Sequence, residues 1–221
     1  MIGRPDLPTG EFLLEEHDFS PELTAACPDW QNTIVKFVRT FAAPVAVNPE
    51  VTGSCEDPTA LSTQTIYTVP TPRIQEHLPW LIEVYKTEIL SLGRAAVGSE
   101  LIAAKKPNNR MNINLQPSGG GYDGHVDFNG LSALLYFTGG SELRIARSTD
   151  ACRVATINEN YVSVQPEPGK LTIFNGRYPH YVTAPNPGQA YRVAAAMNFY
   201  TPDYPESMRP QDVANYSEGL V

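Results

Sequence analysis

The chain has 221 residues, enough to bury a sizeable core in one domain, and its 16 Lys and Arg against 24 Asp and Glu leave a formal charge of -8. That balance argues against nucleic acid as a partner, because phosphate binding needs clustered cations. No apolar run reaches the length of a membrane span, and MIGRPDLPTGEFLLEEHDF lacks the basic start and apolar core of a signal peptide. The cysteines, Cys27, Cys55 and Cys152, are odd in number and widely spaced, which suggests reduced thiols rather than a disulfide framework, and a cytoplasmic location is expected.

In chain order, residues 1–19 are irregular and interrupted by Pro, with EFLLEEHDF expected to add an edge strand or to cover the core. Ser20 and Asp29 are candidate helix caps, and Trp30, Ile34, Phe37, Val38 and Phe41 are spaced for one buried helical face that should end before Pro44. Residues 44–72 are rich in Pro, Thr and Ser and read as a long loop containing one strand, STQTIYTVP. Leu78, Leu81, Ile82, Tyr85, Ile89 and Leu92 then predict a helix packed on the outside of a barrel, with His77 at its exposed start and Gly93 as its stop.

From Arg110 onward the pattern is almost wholly β. RMNINLQP places Arg110, Asn112, Asn114 and Gln116 on one face of a strand, and Gly119, Gly120 and Gly121 then turn the chain towards His125 and Asp127. Side chains two apart in an extended segment share a face, so this imidazole and carboxylate can address one ion. Of the other histidines, His180 in NGRYPHYV, between two strand-like runs, is the natural third ligand. Two His and one carboxylate leave open positions on a metal, as in non-heme Fe(II) oxygenases. Arg192, at the start of YRVAAAMNFY, can pair with the far carboxylate of a 2-oxoglutarate chelated to such an ion. The amide face of the 110–117 strand, Asn114 and Gln116 above all, is expected to contact the co-substrate or the substrate if it lines the barrel. Each part is weak alone; the ordered set is specific.

Residues Gln116–Asp127, ALLYFTGGSELRIA, VQPEPGKLTIFNGRYPHYV and YRVAAAMNFY together resemble the prolyl-hydroxylase-like branch of the Fe(II)/2-oxoglutarate dioxygenases. The resemblance implies a mainly β fold with flanking helices, a double-stranded β-helix (a cupin-like jelly roll). Its catalytic core would span 110–201, preceded by helices and loops in 1–109 and followed by a tail in 202–221, all one domain. It implies His125, Asp127 and His180 as iron ligands, Arg192 and Tyr136 as partners of the 2-oxoglutarate distal carboxylate, and Tyr122 at the pocket mouth. O2 would be the second co-substrate. Gln116 departs from the branch, which usually carries tyrosine there, so a protein-bound prolyl substrate is the second choice. Retention of Asp127 favours hydroxylation over chlorination, since the related halogenases carry a small residue there.

Alternation along the last strand puts Arg192, Ala194, Ala196 and Asn198 on one face, with Val193, Ala195, Met197 and Phe199 packing on the other. Asn198 would then sit deeper, near the metal, and the resemblance implies that it borders the substrate. Arg177 is either a solvated turn residue or a contact for an anionic group. The substrate expected is a small polar molecule, such as a free amino acid or a natural-product intermediate. A zinc hydrolase, whose donor set is the same, and a jelly-roll binding module without turnover remain open as other classes.

Overall fold

A computed structural model describes residues 13–46, 52–54, 65–104, 111–118, 122–127, 129–149 and 154–202. Arg110, the triple-glycine turn, Cys55, Cys152, most of the N-terminal segment and nearly all of the 202–221 tail lie outside the described residues.

Two antiparallel sheets face each other. The larger runs β1 (Leu14–Asp18), β11 (Lys170–Phe174), β8 (Leu131–Tyr136), β13 (Tyr191–Tyr200), β6 (Met111–Pro117), β4 (Thr65–Pro70) and β2 (Ala43–Ala46), with β5 (Ile102–Ala103) also pairing β13. The smaller runs β10 (Tyr161–Val164), β9 (Leu143–Ala146), β12 (His180–Val182), β7 (Tyr122–Asp127) and β3 (Thr52–Ser54). This crossing of strands between sheets is the expected double-stranded β-helix. Its axis is β13, which bonds β6 on one side and β8 on the other.

Strict alternation sorts β13. Val193, Ala195, Met197 and Phe199 are fully buried on the outer face, with Ile113, Leu135 and Ile173 from neighbouring strands, beneath the helices. That helical layer comprises α1 (Ser20–Ala26), α2 (Trp30–Phe41), α3 (Thr71–His77), α4 (Pro79–Val84), a π turn (Tyr85–Ile89) and α5 (Leu90–Val97). The predicted stripe of α2 is the one that packs: Trp30, Ile34, Phe37 and Val38 are buried. The edge strand foreseen near the N-terminus is β1, which pairs β11.

Three local expectations are corrected. Gly93 does not stop the long helix; it lies inside α5, and a Cβ there would come within 3.1 Å of both Leu101 and Leu131. The stop is Gly98, whose φ of 64° places it in the left-handed region that glycine tolerates. His77 ends α3 rather than opening a helix, and its ring stacks on Phe41 at 4.5 Å. The stretch taken as loop also contributes β2, β3 and the start of α3, with Pro44 accommodated because β2 lies at the sheet edge. No helix among the described residues is long and apolar enough to cross a membrane.

The π turn carries Tyr85, fully buried, whose hydroxyl donates to the Asn198 carbonyl at 2.8 Å and accepts from the Ala104 amide at 3.1 Å. It ties the helical layer to the far end of β13. Tyr85→Phe strands both backbone groups in the core, so chemical denaturation is expected to show a loss of about 1–3 kcal/mol. Unchanged stability would mean that water replaces the phenol there.

Candidate metal centre

The site begins with a cross-strand pair. β12 and β7 are antiparallel with His180 directly opposite His125, and the register slips by one residue between that pair and Val182–Tyr122. The extra residue falls in β7 just before His125, a bulge of the kind that re-aims a strand's side chains. The two imidazole centroids are 4.3 Å apart. Asp127, two residues on, brings Oδ1 to 3.8 Å from His125 Nε2 and Oδ2 to 3.7 Å from His180 Nε2.

One donor atom from each of the three lies within 4.8 Å of the others, and the histidines are buried. Cis ligands about 2.1 Å from an octahedral ion stand about 3 Å apart, so the cluster needs only a small contraction to grip one. His180 Nδ1 is held 2.9 Å from the Tyr178 carbonyl, which fixes that nitrogen as the donor and leaves Nε2 for coordination. Burial, reinforced by the neighbouring His125 and opposed by Asp127, lowers the His180 pKa to about 4. The ring is therefore neutral near pH 7, the form that binds metal.

Asp127 is placed by its surroundings. Its amide donates to the Gly176 carbonyl at 2.8 Å, and Ser132 Oγ donates to Oδ2. Gly176 lies so close that a Cβ would stand 2.7 Å from Ser132 Oγ and 2.9 Å from Asp127 Cβ. Gly176→Ala must push the carboxylate aside, and a fall of about tenfold or more in Co(II) affinity by calorimetry is the expected outcome. Parental affinity would show that the turn yields instead.

A second polar group occupies the interior face of the larger sheet. Arg192, 3 % exposed, lies across from Gln116, with its guanidinium 5.2 Å from the Tyr136 ring centroid and Nη1 donating to Gln116 Oε1 at 3.3 Å. Neither of these contacts supplies a negative charge. Gln116 Nε2 in turn donates to the Thr183 carbonyl at 3.0 Å, so both ends of this amide are engaged by the protein and it brackets the arginine. Burial raises the Tyr136 pKa, with Arg192 and Thr172 close enough to oppose the shift, and the phenol stays protonated. Even so, Tyr136 Oη and Thr172 Oγ1 complete no hydrogen bond among the described residues, nor does Asn114 Oδ1. Two adjacent buried hydroxyls that complete no hydrogen bond, beside a buried guanidinium, are what a carboxylate ligand would satisfy.

The interior row continues as expected through Ala194 and Ala196 to Asn198, which pairs in register with Ser132 and so sits at the Asp127 end. Tyr122 opens β7 opposite Val182. Arg177 is half-buried in the turn before His180, with its amide bonded to Asn175 Oδ1. Arg144 and Glu142 are ion-paired to each other, with Arg144 also bonded to Asn158 and Tyr181. Sequence reasoning missed Ser132, Thr172, Asn129, Gly176 and the Tyr178 carbonyl. Only alternation within KLTIF could have flagged Thr172; the others carry no local signal.

No protein-family model and no curated protein sequence matches the chain. Many solved structures do share its fold. The non-heme α-ketoglutarate-dependent epimerase SnoN from nogalamycin biosynthesis superposes with a TM-score of 0.59 at 13% identity, over 86% of this chain and 78% of that one. HygX from Streptomyces hygroscopicus, solved with nickel and 2-oxoglutarate bound, gives 0.58 at 10% identity over 87% and 84%. EctD from S. alaskensis, with 2-oxoglutarate and 5-hydroxyectoine, gives 0.57 at 13% over 88% and 74%. At these identities the likeness establishes the jelly-roll fold.

Proposed function

We propose that the chain is an Fe(II)/2-oxoglutarate-dependent oxygenase acting on a small polar molecule. The observation that carries this reading is the joint presence, inside one jelly roll, of a His125–Asp127–His180 cluster and a buried Arg192 flanked by the unsatisfied hydroxyls of Tyr136 and Thr172. A zinc hydrolase would use the first and leave the second without purpose.

In this reading His125, Asp127 and His180 would hold the metal, a donor set that would leave room for further ligands. Arg192, Tyr136 and Thr172 bind the distal carboxylate of 2-oxoglutarate, and Gln116 keeps the guanidinium in place. Phe174, edge-on to His180 at 4.8 Å, contributes an apolar wall that limits water. With iron and 2-oxoglutarate bound, the pair supplies oxidising power from O2, releasing succinate and CO2. The protein's task is to hold one C–H of the substrate beside the metal.

The finer reading is hydroxylation in the manner of the prolyl-hydroxylase-like branch, with Asn198 and Arg177 facing a free amino acid or a natural-product intermediate and Tyr122 assigned to the substrate by the sequence resemblance alone. The neighbours of known ligand, which include a nogalamycin-pathway epimerase and a structure holding 5-hydroxyectoine, support a small molecule over a protein side chain.

The test is anaerobic titration of metal-free protein with Fe(II) and 2-oxoglutarate, watching for the visible charge-transfer band of the chelate. Admission of O2 with a panel of amino acids and small polyols follows, and succinate is counted. A band with substrate-stimulated succinate supports the full reading, and a band that no compound couples to turnover rejects the panel. Absence of the band with tight Zn(II) binding moves the chain to the hydrolases.

A further inference from the structure

Asp127 is held by more than its place in β7. Ser132 Oγ donates to Asp127 Oδ2 and accepts from Asn129 Nδ2 at 2.8 Å, and the same Nδ2 donates to the Leu131 carbonyl. Both Asn129 and Ser132 are buried. The Leu131 carbonyl can only accept, which fixes the orientation of the Asn129 amide. A hydroxyl whose oxygen already accepts from that amide directs its one hydrogen to the carboxylate. The relay therefore runs in a single direction, from Asn129 through Ser132 to Asp127.

We propose that Asn129 and Ser132 are positioning residues that make Asp127 a one-oxygen ligand: Ser132 engages Oδ2, which stands 3.7 Å from His180 Nε2, and leaves Oδ1, 3.8 Å from His125 Nε2, for the ion. An ionised carboxylate that is free to turn can offer both oxygens to one metal. The second oxygen would then occupy a position that a co-substrate needs. Asn198 faces Ser132 in register, so the relay also borders the surface assigned to substrate. This inference rests on the metal reading above and adds how the open positions are kept open.

The test uses Co(II), which binds such donor sets without needing anaerobic handling and reports coordination number in its visible spectrum. Parent, Ser132→Ala, Ser132→Thr and Asn129→Leu proteins are titrated with Co(II) by calorimetry and absorption, with and without 2-oxoglutarate, and the melting temperature of each metal-free protein is recorded. Ser132→Ala is expected to bind Co(II) about 10–100-fold more weakly with an altered spectrum. Ser132→Thr, which keeps the hydroxyl, restores the parental spectrum. Asn129→Leu shifts the spectrum the same way as Ser132→Ala, by less, because the hydroxyl remains but has lost its direction.

Parental Co(II) affinity and spectrum in Ser132→Ala would overturn the proposal. So would a lowered melting temperature in that variant with an unchanged spectrum, since that marks a purely structural serine. If the parent itself binds no Co(II), both this inference and the metal reading fall; if the parent binds and Ser132→Ala matches it, only this inference does.

Discussion

Asp127→Ala is expected to yield a folded protein that forms no succinate above background from 2-oxoglutarate. The backbone of β7 does not depend on the side chain, because the Asp127 amide bonds to the Gly176 carbonyl and His125 remains paired with His180. The variant loses an acceptor for Ser132, a cost of about 1–3 kcal/mol that leaves a cooperative fold. Function suffers far more. Removing an outer-shell partner of a metal ligand costs about 10–100-fold in affinity or activity, and removing the ligand itself exceeds that. Circular dichroism matching the parent, together with succinate production lowered by at least about 100-fold, is the outcome anticipated. Comparable succinate from variant and parent would remove Asp127 from the centre.

Arg192→Met should separate co-substrate binding from metal binding. Methionine fills much of the same volume without the charge, so the packing of β13 against β6 and β8 persists. In the parent the guanidinium lies on the Tyr136 ring and is bracketed by Gln116. Loss of one partner from a buried, hydrogen-bonded charge pair costs about 2–5 kcal/mol, so the Kd for 2-oxoglutarate is expected to rise by about 100-fold, with the Co(II) Kd nearly unchanged. An unaltered 2-oxoglutarate Kd would assign Arg192 to structure, with Tyr136 as its cation–π support.

Much of this arrangement is legible in the sequence alone. Strand β13 was legible because its two faces alternate without a break, and one of them ends on a charge that no apolar core would accept. The His-x-Asp pair was legible because period two in an extended chain puts both groups on one side. The helical layer was read less well. Gly93 carries the ordinary signature of a stop, but close approach of Leu101 and Leu131 governs it instead, a tertiary contact that the local pattern does not encode. The surroundings of Asp127 were invisible for the same reason. Ser132 reaches it only because β8 pairs with β13 and β11 in one register, and Gly176 only because the chain returns from β11 on the way to His180. Thr172 comes near Tyr136 only because β11 pairs with β8.

The pairing of His125 with His180 also bears on how the protein would hold itself together. These two residues are neighbours in the ladder yet distant along the chain, and the register beside them is broken by the bulge. An ion shared between them would act as a cross-link over a long stretch of polypeptide, at the point where hydrogen bonding in the smaller sheet is least regular. Metal supply would then set the mechanical integrity of that sheet as well as its chemistry, by mass action on the folded state. The larger sheet, anchored by the helical layer, would stand without it.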